Sequence, residues 1–103
     1  MSKSLFISID ILNITPEQLI IKVYDFAILN CQKHNLVKTN YALQELINAL
    51  NFEDPAMKEI SVGLFRLYLY CQDKMRKKEY EVVEKVLTEL KKSWESALNR
   101  NGI

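Results

Sequence analysis

Few side chains in this chain could carry chemistry. There is one histidine, His34, two cysteines, Cys31 and Cys71, and a scatter of carboxylates that includes Glu17, Asp25, Glu45 and Glu59. A metal or haem site in a helical protein needs a Glu-x-x-His pair, a CxxCH or a second imidazole, and the sequence has none of these. The carboxylates fall on polar positions rather than in pairs suited to acid and base work. No Gly-rich phosphate loop occurs, and no Ser-His-Asp set can be assembled. The expectation is a protein that is not an enzyme and needs no cofactor or metal, with His34 a solvated loop histidine. Cys31 and Cys71 sit on the apolar sides of helical patterns with no CxxC, which points to two buried thiols in a reducing cytosol.

The elements that would position these residues are helical. With 103 residues, 49% of them hydrophobic, and only two Gly and two Pro, the chain makes one domain of long helices. Thr15 suits an N-cap, Pro16 the first turn and Gln18 a capping box, with Ile14 and Leu19 as a hydrophobic staple. Leu19, Ile20, Val23, Ala27 and Cys31 then share one face. Leu36, Leu43, Leu46, Ile47 and Leu50 mark a second helix that follows Asn35. Asp54-Pro55 starts a third, lined by Met57, Ile60, Leu64, Leu67, Tyr68, Cys71 and Met75. Tyr80, Val83, Leu87, Leu90 and Trp94 mark a fourth, which Asn101 and Gly102 end. The spacing predicts an all-α, antiparallel up-down-up-down four-helix bundle over residues 15–98, with a leader over 1–14 and a tail over 99–103. In the leader, Phe6, Ile7, Ile9 and Ile11 enclose Ser8 and Asp10 in an extended pattern.

A net charge of +1 and a pI near 7.7 supply no basic field for nucleic acid. The apolar run at Leu5–Leu12 is short and broken by Asp10, so neither a membrane span nor a signal peptide is expected, and the location expected is cytoplasmic.

The run T-P-E-x-L-x-x-x-V-Y-D-x-A-I from Thr15 to Ile28 resembles the N-terminal signature of the flagellar export chaperone family FliS, whose members bind flagellin. Leu50-Asn51-Phe52, then Leu64, Leu67, Tyr68 and Tyr70, and finally Leu87, Leu90 and Trp94 stand where that family has its later signatures. The resemblance thus spans Phe6 to about Leu98. It implies a four-helix bundle that binds the C-terminal segment of flagellin, or a similar export client, and so prevents premature polymerisation and aids export. The alternative is a homo-oligomeric adaptor or regulatory module of a bacterial secretion system with another client. Two departures stand out: both helical hairpins are shorter than the family pattern, by roughly a heptad or more, at the same bundle end, and Phe26 stands where the family usually has Gly.

Candidate client contacts follow from both arguments. Phe6 and Ile11 match, by spacing from Thr15, leader positions implicated in meeting flagellin, and Ile7 lies beside them; the same side chains could instead plug the bundle end. Ile21, Tyr24 and Ile28 flank the core face of the first helix, as a groove or as a widened buried side. Tyr70 points away from the core, whereas Tyr68 points into it. Val62, Phe65 and Leu69 form a second apolar stripe on the third helix, read as a homodimer seam, a client groove or chance enrichment.

Overall fold

A computed structural model describes residues 15–100. Thr15 Oγ1 accepts from the Gln18 amide at 3.1 Å while Gln18 Oε1 accepts from the Thr15 amide at 3.0 Å, closing the expected capping box ahead of α1 (Pro16–Gln32). Ile14, the other half of the expected staple, lies outside the described residues. Asn35 caps α2 (Leu36–Asn48) by accepting from the Lys38 amide, and Asp54 caps α3 (Pro55–Arg76) by accepting from the Ala56 amide. Helix α4 runs over Tyr80–Arg100, with Glu81 in its first turn, where a carboxylate suits the helix dipole. Asn101 and Gly102, its expected end, lie outside the described residues.

Two tight turns of one design join α1 to α2 and α3 to α4. His34 and Lys78 take positive φ, 59° and 62°. Their amides donate to Cys31 O and Met75 O, and the next amides, of Asn35 and Glu79, donate to Asn30 O and Lys74 O. Both are Schellman motifs, which satisfy the last helix carbonyls at the cost of placing a non-glycine residue in left-handed backbone. The ring of His34 stacks on Tyr80 with centroids 4.0 Å apart, so the first and third turns share one end of the bundle. His34 is exposed, but it closes a turn rather than hanging in solvent.

Cross-links between side chains set the helix directions. Gln32 bonds Glu84 and Asp25 pairs with Lys91, so α1 and α4 run antiparallel. Asn40 and Gln72 exchange amide hydrogen bonds with each other's backbone carbonyls, and Ser61 donates to Asn51 O, so α2 and α3 do too. Tyr24 meets Tyr68 and Cys31 meets Met75, a register of two parallel helices across the bundle diagonal. Each helix packs on its neighbours in the chain and α4 returns to α1, giving an all-α four-helix bundle with no strand among the described residues. No described helix is long and apolar enough to cross a membrane.

The core joins Val23, Tyr24, Ala27 and Cys31 to Ala42, Leu43, Leu46, Tyr68, Cys71, Met75, Val83 and Leu87. Both cysteines are free and buried. Trp94 is partly buried against this core, as are Leu90 and Leu64. The inward stripe of α2 differs from the sequence expectation. Leu36 is exposed and Thr39 and Ala42 are buried instead, because Asn35 as N-cap puts Leu36 at the first helical position, beyond the packed turns.

Candidate functional site

The helices differ in length, and that difference makes the site. Helix α2 has 13 residues and α3 has 22, so at 1.5 Å per residue α3 is longer by about 13 Å. Its first turns therefore run past the end of α2. Met57 and Ile60, on the core stripe of α3, have no turn of α2 to lie against, and Ile60 is 56% exposed. They form one wall of an apolar cleft of about 450 Å³ at the end of the bundle opposite the two Schellman turns. Pro16, Glu17, Leu19 and Ile20 from the start of α1 form a second wall, and Leu46, Ala49, Leu50 and Asn51 from the end of α2 a third. Leu64, Tyr68 and Trp94 line it as well.

The wall at Asn51 is fastened by polar contacts. Asn51 Oδ1 accepts from the amides of Glu53 and Asp54 at 3.0 and 3.1 Å, and its backbone carbonyl accepts from Ser61 Oγ at 2.7 Å. Behind the opening lies a buried polar chain. Trp94 Nε1 donates to Tyr24 Oη at 3.1 Å, and Tyr24 Oη lies 2.6 Å from Tyr68 Oη. Burial pushes the pKa of both phenols up, so both are neutral across the ordinary pH range.

The contact residues expected from sequence do not gather at one place. Phe6, Ile7 and Ile11 lie outside the described residues. Tyr24 is corrected from groove flank to core: it is completely buried, and its hydroxyl is committed to Trp94 and Tyr68. Ile28 is partly buried against the core, so for these two the widened buried side is the right account. Ile21 lies in a broad, shallow depression between α1 and α4 with Gln18, Lys22, Asp25, Glu95 and Leu98. Asp25 holds Lys91 there at 2.6 Å and keeps its ammonium above its usual pKa. Although larger in volume than the cleft, this depression is open and edged with charge, which suits solvent better than an apolar ligand. Tyr70 is exposed as expected, with Lys74 Nζ 5.4 Å from its ring centroid.

The second stripe is only partly free. Phe65 is half-covered, with Phe52 of the α2–α3 connection edge-on to it at 6.0 Å, and Val62 is half-buried, while Leu69 is exposed. Sequence periodicity had placed Met57, Ile60, Leu19 and Ile20 on core faces and so missed them as site residues. The signal that could have found them is the early stop of α2 at Asn51–Pro55.

Among the described residues no group of three or more His, Cys, Asp or Glu could hold a metal ion. No protein-family model matches the chain, and no curated protein or solved structure matches it.

Proposed function

We propose that this protein is a FliS-type secretion chaperone, which binds the C-terminal segment of flagellin or a similar export client in the cytosol and keeps it from assembling early. The observation that carries the proposal is the apolar cleft between the start of α1, the end of α2 and the overhanging first turns of α3. One of its walls, Pro16, Glu17, Leu19 and Ile20, falls in the stretch Thr15–Ile28 whose residues resemble the family signature. A disordered amphipathic segment would bury its apolar side chains against Leu19, Ile20, Met57 and Ile60, at about 25 cal/mol per Å² before the cost of ordering is subtracted. Such holding needs neither catalysis nor a cofactor.

Co-expression with the C-terminal segment of flagellin from the same genome, followed by co-purification, tests this reading. The segment should be retained by the wild type and lost with Ile60→Glu. Because Ile60 is more than half exposed, the charge should leave the melting temperature nearly unchanged. If the wild type fails to retain the segment, the flagellin reading fails.

The exposure of Leu69 and Tyr70 supports a second reading, a homo-oligomeric module that pairs through the outer side of α3. Leu69→Glu separates it from the first. A dimer that becomes a monomer in sedimentation velocity supports pairing, and a wild type that is already monomeric ends that reading.

A further inference from the structure

The two most exposed large apolar side chains among the described residues stand at opposite ends of the bundle. Val37, 76% exposed, is in the first turn of α2 beside the Schellman turns, and Ile60, 56% exposed, is in the cleft. Leu36, next to Val37, is exposed as well. Charge divides along the same axis, which the net charge of +1 conceals. Lys33, Lys38, Lys74, Arg76, Lys77 and Lys78 lie in or beside the two turns, whose shared end is marked by the stack of His34 on Tyr80. Lys74 and Lys77 pair with Glu79 and Asp73 at 3.3 and 3.1 Å, while no ion pair among the described residues engages Lys33, Lys38, Arg76 or Lys78. Glu81 is the one carboxylate in the first turn of α4 to set against them. At the cleft the sign is reversed. Glu17 lines it, and the amides of Glu53 and Asp54 are held on its Asn51 wall; no ion pair among the described residues engages these three carboxylates. The nearby cation Lys58 is offset by its neighbour Glu59.

We propose that the cleft takes the turn end of a second copy of this chain. Leu36 and Val37 of one molecule enter the cleft of the next and cover Leu19, Ile20, Met57 and Ile60, while the unpaired cations of the turns face Glu17, Glu53 and Asp54. Apolar burial holds the contact, and the opposed charges decide which ends meet, because two basic ends or two acidic ends repel. The two surfaces differ, so the contact is heterologous: each added copy leaves one basic end and one open cleft, from which a ring or a short chain grows. One end of each bundle is engaged rather than a flank, which makes this a weak association formed at high protein concentration. Leu69 and Tyr70, on the outer side of α3, take no part in it. The proposal does not depend on the chaperone reading.

Sedimentation velocity of the full chain, over a dilution series into the millimolar range, tests the contact. The wild-type mass should rise with concentration past that of a dimer and fall back as salt is added. Val37→Glu and Ile60→Glu, both at exposed positions, should each stay folded and monomeric. Mixed in equal amounts they should form a dimer and nothing larger, because Val37→Glu keeps its cleft and Ile60→Glu keeps its turn end. Leu69→Glu should associate as the wild type does. A wild type that is monomeric at every concentration overturns the proposal and leaves the cleft to a client or to the chain's own leader. A mixture of the two variants that stays monomeric overturns it too, as does an association that Leu69→Glu abolishes. The flagellin segment keeps the two readings apart. A monomeric wild type that retains the segment ends the self-association and leaves the chaperone reading standing. An associating wild type whose two variants complement each other, but which retains no segment, does the reverse.

Discussion

Thr39 is completely buried on the inward face of α2, and its Oγ1 has no hydrogen-bond partner among the described residues. A buried hydroxyl without a partner has given up water for nothing. Thr39→Val keeps the shape and a similar helix propensity, so it should raise stability by about 1 kcal/mol. Urea denaturation reads this directly, and a destabilised variant would mean that the hydroxyl is paired. Gln72 makes the opposite case: it is also buried, yet its amide reaches Asn40 O and Gln44 Oε1 at 3.2 and 3.3 Å. Satisfied in this way, it cross-links α2 to α3 next to the core.

At the scale of the element, one glycine and one lysine each stand where the other's backbone preference would serve better. Gly63 lies inside α3, and a Cβ added there meets nothing within 4 Å. Lys78 occupies the left-handed position of the second Schellman turn with φ 62°. Gly63→Ala should stabilise by about 0.5–1 kcal/mol through helix propensity. Lys78→Gly should stabilise by about 1 kcal/mol, by removing a steric cost of about 1–2 kcal/mol and restoring part of it as unfolded-state freedom. The equivalent change at His34 should gain less, because it also removes the stack on Tyr80. Melting temperatures of the three single variants check the order. If Lys78→Gly is no better than His34→Gly, the turn account is wrong.

For the molecule as a whole, the titratable groups of the core make stability sensitive to alkali. Burial, and then the nearby Glu84 charge, push Cys31 up to about 11; burial, and then Cys31 itself, push Cys71 up to about 12. Tyr24 and Tyr68 are raised too, chiefly by burial. In each case the fold prefers the neutral form. Above the ordinary thiol value of 9.0, the unfolded chain releases protons that the native chain keeps, so the unfolding free energy falls as pH rises. The contribution is whole below pH 9.0 and is lost as pH climbs toward the native values, with a slope approaching about 1.4 kcal/mol per pH unit for each thiol. Urea midpoints measured at steps from pH 8 to 11 should fall in the wild type and fall less in the Cys31→Ala, Cys71→Ala double variant. Equal slopes would show that the thiols titrate normally in the fold.

Local chemistry made much of the fold legible from sequence. Thr15, Asn35 and Asp54 cap their helices because an N-cap bond spans only two or three residues, and the helical period selected Val23, Ala27, Leu43, Leu46, Cys71, Val83 and Leu87 for the core. Where a stripe finds no neighbour is a different kind of fact. Periodicity assigned Ile60 and Tyr24 with equal force, one to the core and the other to its flank, and the structure reverses them: Ile60 faces an opening and Tyr24 is sealed. A stripe is buried only over the length for which other helices run alongside it, and Ile60 lies beyond the last turn of α2. Tyr24 is sealed because Tyr68 and Trp94, 44 and 70 residues away in the chain, converge on its hydroxyl. The sequence alone determined four helices, three of them with their N-caps, and most of the face each turns inward. Only the tertiary structure decided where those faces run out of partners, because that depends on the relative lengths and registers of helices that meet in space.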